Sequence, residues 1–345
     1  MIASYPNSSK PTFAKLMGVS LLSALLFGCG GDKPAQTQAE QTPTAQNTDT
    51  KTLAITAIVE HPALDAVRKG ALEALAQEGY KEGENLTVNF QSAQGNVATA
   101  GQIAKQFSAD NPDAIIAIAT PSAQAVVSAT TSIPVVFSAV TEPVEAKLVS
   151  KLDGSGTNVT GASDVLPLEP QIELIQELIP SVKNIGFVYS PGEVNSTVTL
   201  KNLKAIAEPQ GLSIVEAPAQ KSSDIAMSAQ SLVGKVDVIY TSTDNNVINA
   251  YEALAKVAKE AKIPLVSSDP SVVERGASVA LGVNYHELGK ETGKITARIF
   301  KGEKAGDIPV YSAKELDLLV SKKNANEQGL TIPQTILDKA KTVTE

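Results

Sequence analysis

The chain has 345 residues, enough for two domains of ordinary size, and its 43% hydrophobic and 19% charged residues exclude disorder over most of its length. A formal charge of -8 with acids and bases dispersed excludes a basic surface for nucleic acid. A single cysteine excludes a disulfide framework, and with 4% aromatics and no Trp the cores must be built from Ala, Val, Ile and Leu.

The first 28 residues read as a processing segment. Lys10 and Lys15 supply a positive n-region, no acid occurs before Asp32, and residues 16–27 form an apolar run about one h-region long. That run is too short for a bilayer core of ~30 Å. It ends Leu26-Phe27-Gly28-Cys29, which resembles a bacterial lipobox. The expectation is a lipoprotein signal peptide over 1–28 and a lipid on Cys29. The folded part would then be extracytoplasmic and anchored to a bacterial membrane. Loss of Lys10 and Lys15 takes the charge from -8 to -10. Residues 30–51 (GGDKPAQTQAEQTPTAQNTDTK) have no apolar periodicity, so 29–51 reads as the lipidated cysteine and a flexible tether.

From residue 53, short β-rich runs alternate with helical stretches. Strands are predicted at 53–59 (LAITAIV), 86–90, 114–119 (AIIAIA) and 134–137, with helices at 64–78, 98–108 and 121–128 between them. The pattern then restarts. Strands at 185–189 (IGFVY), 212–216, 236–240, 264–266 and 277–281 alternate with helices at 197–208, 226–233, 246–261 and 271–275. A helix at 288–300 has its first turns weakened by Gly289 and Gly293, and Gly302 stops it. A strand at 316–320 and a helix from 333 complete the chain. Near-continuous apolar strands joined by helices predict an α/β fold with parallel sheets covered on both faces. Two βα sets of similar size predict two lobes.

Enzyme motifs are missing. There is no Walker A loop, no GxGxxG after the first strand, no HExxH or Cys/His cluster and no GxSxG elbow. The expectation is a protein that is no enzyme and has no cofactor and no metal.

Several segments carry a family resemblance: Ala119-Thr120-Pro121-Ser122-Ala123-Gln124, then Phe137-Ser138-Ala139-Val140-Thr141-Glu142-Pro143, then Tyr189-Ser190-Pro191-Gly192-Glu193-Val194-Asn195-Ser196. Tyr240-Thr241-Ser242-Thr243-Asp244-Asn245, Ser267-Ser268-Asp269 and residues 324–333 (NANEQGLTIP) follow in order. With these, the region from about 53 to 337 resembles the solute-binding lipoproteins of ABC transporters, most closely the group that binds aromatic amino acids. The resemblance implies a type I periplasmic-binding-protein fold, two Rossmann-like lobes with parallel sheets joined by a three-crossover hinge. The crossings are expected near 141–164, 282–286 and 306–317. They give lobe 1 as 52–150 plus 285–308 and lobe 2 as 151–284 plus 309–345. It further implies a monomer that captures a small amino acid, Trp, Tyr or Phe, and delivers it to an ABC permease and its ATPase. Two alternatives stay open: another solute on the same fold (a branched amino acid, nucleoside or sugar), or a ligand-sensing surface lipoprotein that transports nothing.

Ligands in such sheets sit beyond the C-terminal strand ends, and those ends are polar here. Thr120-Pro121-Ser122 and Pro191–Ser196 precede helices. With Thr120 as N-cap and Asn195 or Ser196 capping the next helix, either turn suits an α-carboxylate. For the α-ammonium the candidates are Asp269 first, then Asp244, then Glu60. Gln124, Ser138, Thr141 and Thr243 from the quoted segments, and Asn284 at the second crossing, complete the set. Tyr189, Tyr240, Tyr285 and Phe137 are candidate ring contacts, and His61 a candidate cleft residue. Short polar residues at strand ends are more often ordinary helix caps than ligand contacts, so capping is the competing explanation for each one.

Overall fold

A computed structural model describes residues 50–345. The expected signal segment, Cys29 and the tether through residue 49 lie outside the described residues. Lys51, expected as the end of the tether, is the first residue of a strand.

The first sheet contains β1 (Lys51–Ala57), β2 (Leu86–Ser92), β3 (Ala114–Ile118), β4 (Val135–Val140), β5 (Val159–Ser163) and β11 (Tyr311–Ser312), in the order β2-β1-β3-β4-β5-β11 and parallel throughout. Helices α1 (Pro62–Gln77) and α9 (Tyr285–Phe300) pack together on one face; α2 (Val97–Asp110) and α3 (Thr120–Ala129) pack together on the other. Helices on both sides explain why every residue of β3 and β4 is buried.

The second sheet contains β6 (Asn184–Tyr189), β7 (Ser213–Pro218), β8 (Val238–Thr241), β9 (Leu265–Ser267), β10 (Val279–Gly282), β12 (Asp317–Ser321) and β13 (Thr342–Thr344), in the order β7-β6-β8-β9-β10-β12-β13. It is not wholly parallel: β12 runs antiparallel to β10, and β13 parallel to β12. One face packs α4 (Glu169–Leu178) and α5 (Val194–Ala207) into an apolar core. The other packs α6 (Ile225–Gln230), α7 (Asn245–Asn249) and α8 (Tyr251–Ala261) into a second. Helices α10 (Lys322–Glu327) and α11 (Gln334–Lys339) lie in the tail.

The chain passes between the sheets three times, after β5, after β10 and after β11. This corrects the lobe boundaries set at 150 and 308. β5 pairs with β4 and β11 with β5, so residues 159–163 and 311–312 belong to the first sheet. The single helix expected over 246–261 is two, α7 and α8, separated at Ala250.

Gly289 and Gly293 do not weaken the start of α9, which begins at Tyr285 and runs 16 residues. They face α1. A Cβ on Gly289 would strike the Val67 backbone, one on Gly293 the Ala71 carbonyl, and one on Gly70 the His286 carbonyl. Small residues let the two helices meet backbone to backbone, so these glycines serve packing and not a turn.

A cleft with two buried carboxylates

Each sheet has the strand order 2-1-3-4-5, which reverses between β1 and β3 in one and between β6 and β8 in the other. Such switch points open a crevice at the C-terminal strand ends. The two crevices face each other. Residues following β1, β3 and β4 line cavities together with residues following β6, β8 and β9. The lobes are closed, and Thr141 Oγ1 stands 3.1 Å from Thr243 Oγ1 across the cleft. Two non-glycine residues at its edge have left-handed φ, Ala119 at 73° and Ala139 at 53°. Ala139 lies at the bulge where β4 and β5 shift register. Strain of ~1–3 kcal/mol per residue tends to be kept where a site needs it.

At the centre is a cavity of about 10 Å³, room for a group the size of water or ammonium. Asp164 and Asp269 both line it, with His61, Tyr285 and Thr243. Asp164, at the first crossing, accepts Thr141 Oγ1 at 3.0 Å on Oδ1 and Tyr285 OH at 3.0 Å on Oδ2. Asp269 accepts the Ser271 N–H on Oδ1 at 2.8 Å, and its Oδ2 makes no hydrogen bond among the described residues. Burial raises both carboxyls. Asp269 rises to about 6, with the Asp164 charge adding to the effect of burial. No Lys or Arg lines the cavity. His61 cannot serve as a cation, because burial, with the Arg275 charge adding, holds it at about 3. The Arg275 charge reaches Asp269 as it does His61, but Arg275 is paired with Glu252 and does not line the cavity. Two buried carboxylates whose cavity no cation lines fit a ligand that brings its own positive charge.

The N-terminus of α3 supplies the opposite polarity. Its N-cap is Ala119, whose side chain offers no cap, which corrects the expectation of Thr120 there; Thr120 is the first helical residue and Pro121 the second. Ser122 is fully buried and its Oγ has no partner among the described residues. α3 packs against α5, whose first turn holds Asn195. Asn195 Nδ2 donates to Glu193 Oε2 at 3.0 Å and to the Thr243 carbonyl at 3.1 Å, which leaves its Oδ1 unpartnered. Glu193, quoted earlier but not counted as a site residue, is fully enclosed; burial, then the Asp244 charge, raise its carboxyl.

The other expected residues divide. Thr141, Thr243 and Asp269 line the cleft cavities; Asn195 bonds the Thr243 carbonyl, and Thr120 and Ser122 are buried in the first turn of α3. Asp244 does not serve an ammonium: its carboxylate accepts Ser190 N, Ser190 Oγ, Ser196 Oγ and Val247 N, and caps α7. That bond also consumes Ser196. Ser138 Oγ meets Thr292 Oγ1 at 2.7 Å beneath α9, inside the first lobe. Gln124 Nε2 donates to the Ala146 carbonyl, Asn284 is an exposed cap of α9, and Glu60 is exposed and held by Gln94. Phe137 is core, and Tyr189 OH donates outward to Glu216. Asp164 escaped sequence reading because Thr141 and Tyr285, which fix it, are 23 and 121 residues away. The one local signal was an acid at the end of the first expected crossing, after the small, half-polar run VTGAS. Among the described residues no group of three His, Cys, Asp or Glu side chains is arranged to hold a metal.

Comparison with known proteins agrees with this geometry. Residues 52–344 match the family described as ABC transporter substrate binding protein. A tyrosine-binding protein of Clostridioides difficile is 38% identical over 309 residues, covering 90% of this chain and 88% of that one. Among solved structures, an ABC domain from Streptococcus pneumonia in complex with L-Trp is 35% identical with a TM-score of 0.82, covering 86% of this chain and all of its own. A ligand-free, open substrate-binding protein with adhesive properties from Clostridium difficile is 40% identical but scores 0.65, over 86% of this chain and 99% of that one. Higher identity with a lower score is the order expected when the lobes here are closed.

Proposed function

This chain belongs to the family of ABC transporter substrate-binding proteins, which act outside the cytoplasm, and on that premise we propose that it captures a zwitterionic amino acid with an aromatic side chain and delivers it to a permease. The observation that carries this is the pair Asp164 and Asp269, buried together in a cavity that no Lys or Arg lines. An α-ammonium supplies the missing charge and can donate to Asp269 Oδ2 and to the remaining lone pairs of Asp164. The α-carboxylate meets the start of α3, where Ser122 Oγ and the free N–H groups of the first turn await an acceptor. Asn195 faces the same region from the second lobe. A neutral sugar or nucleoside leaves the two carboxylates uncompensated. That the relatives are described as binding tyrosine and tryptophan supports an aromatic side chain.

The mechanism is binding without bond-making. An open form admits the amino acid, contacts from both lobes favour closure, and the closed form presents a surface of both lobes to the permease. Lipid on Cys29 would hold the protein at the membrane through the tether, and the folded part would act as a monomer. A thermal-shift screen of residues 30–345 against the amino acids, nucleosides and common sugars tests the reading. Stabilisation by Tyr, Trp or Phe is expected, about 2.7 kcal/mol at a hundredfold excess over Kd. A shift with sugars or nucleosides alone, or with nothing, would overturn it.

A further inference from the structure

Beside the hinge, a cavity of about 300 Å³ opens off the same cleft. Asp164 and Thr243 line it and the central cavity alike, so the two share a wall. One side is α5, where Thr199, Asn202 and Ile206 continue at helical spacing the face begun by Asn195. Leu166, in the first crossing, adds apolar surface. No Lys or Arg lines this space. Tyr240 and Ser242 line it from the end of β8, and they are 0% and 3% exposed. Among the described residues neither Tyr240 OH nor Ser242 Oγ has a partner within hydrogen-bond geometry, although the Ser268 side chain stands near enough to the Tyr240 hydroxyl to influence it. The Tyr240 ring is held against Phe187, with centroids 6.1 Å apart. Buried hydroxyls without partners are costly, and two on one wall of a ring-sized space mark where a ligand's polar group belongs.

We infer that the hinge-side cavity takes the ring of the bound amino acid, and that Tyr240 and Ser242 hydrogen-bond a polar group on that ring. The protein therefore selects rings bearing a phenol hydroxyl or an indole N–H over a bare phenyl ring. This rests on the amino-acid reading above. The central cavity holds little more than the ammonium, so the larger body must lie elsewhere, and the adjoining space has the volume and apolar wall for it. A phenyl ring entering it leaves both hydroxyls unpaired, which is how a site rejects a ligand that lacks the expected group.

Calorimetric titration of the protein with L-tyrosine and L-phenylalanine tests this without any substitution. Tyrosine is expected to bind about tenfold or more tighter than phenylalanine. Tyr240→Phe and Ser242→Ala should each shrink that ratio, while Ser242→Thr, which keeps the hydroxyl, should preserve it; thermal melting checks that each variant folds. Equal affinities for the two amino acids, or a ratio unmoved in both Tyr240→Phe and Ser242→Ala, would overturn the inference and leave amino-acid capture standing. Failure to bind either one, or any other amino acid, would overturn both.

Discussion

Asp269 is a carboxyl that the fold keeps at an electrostatic disadvantage. A rise from 3.8 to about 6 amounts to ~3 kcal/mol against the charged form. Because the folded value lies above the ordinary one, this group adds stability to the closed, ligand-free state that is complete below pH ~4. That contribution is lost as the pH rises through about 6. Ligand affinity runs the other way, since an ammonium needs the ionised partner. Titrations with tyrosine should give a constant Kd above pH ~7 and weakening affinity as the pH falls from about 6 towards 4. Asp269→Asn keeps an oxygen for the Ser271 N–H but removes the charge. It should cost ~2–5 kcal/mol of binding, thirtyfold or more, by calorimetry. Its melting temperature without ligand at neutral pH should stay level or rise, because a penalised buried charge is gone. A matching loss of stability and affinity would instead make Asp269 a structural cap. The sequence made Asp269 legible as an acid after a strand. It gave no warning that Asp244, in the same kind of position, is saturated by four donors, because Ser190 and Ser196 come from another βα unit.

Between α1 and α9, two effects of glycine oppose each other. Replacing Gly289 by Ala gains up to ~1 kcal/mol of helix propensity. It also drives a methyl group into the Val67 backbone, and overpacking costs ~1–3 kcal/mol. Packing should win, since the obstacle is backbone and cannot rotate away. Gly289→Ala should therefore lower the denaturant midpoint, whereas Gly101→Ala, where the added methyl meets open space, should raise or keep it. The same elements show what a sequence discloses. Strands buried on both faces, such as β3 (AIIAI), and the longer helices between them were readable from pattern. β5 (VTGAS) was not: its small, half-polar residues are buried by neighbours and not by their own hydropathy. The two-residue β11 and three-residue β13 are defined by their partners. α4 was amphipathic in sequence, with Ile172, Ile175 and Leu178 buried, yet it lay between the crossing expected at 141–164 and the strand expected at 185–189, in a stretch given no element.

The whole molecule joins the site to its own hinge. Asp164 sits at the first crossing and Tyr285 immediately after the second, and their hydrogen bond ties two of the three connections at the ligand's position. Asp164 and Asp269 are buried together in the closed form, where burial disfavours their charge; on the proposed function, the ligand's ammonium offsets that cost and so couples ligand charge to closure. The Thr141–Thr243 contact spans the lobes, and the same Thr141 hydroxyl also stands 3.0 Å from Asp164 Oδ1. The central claim is that the ammonium, and not the ring alone, is what this cleft recognises. Calorimetric titration of the folded protein with L-tyrosine and with its des-amino analogue, 3-(4-hydroxyphenyl)propionate, tests it most directly. The account predicts binding of tyrosine and a loss of a hundredfold or more for the analogue, about 2.7 kcal/mol. Equal binding of the two would contradict it.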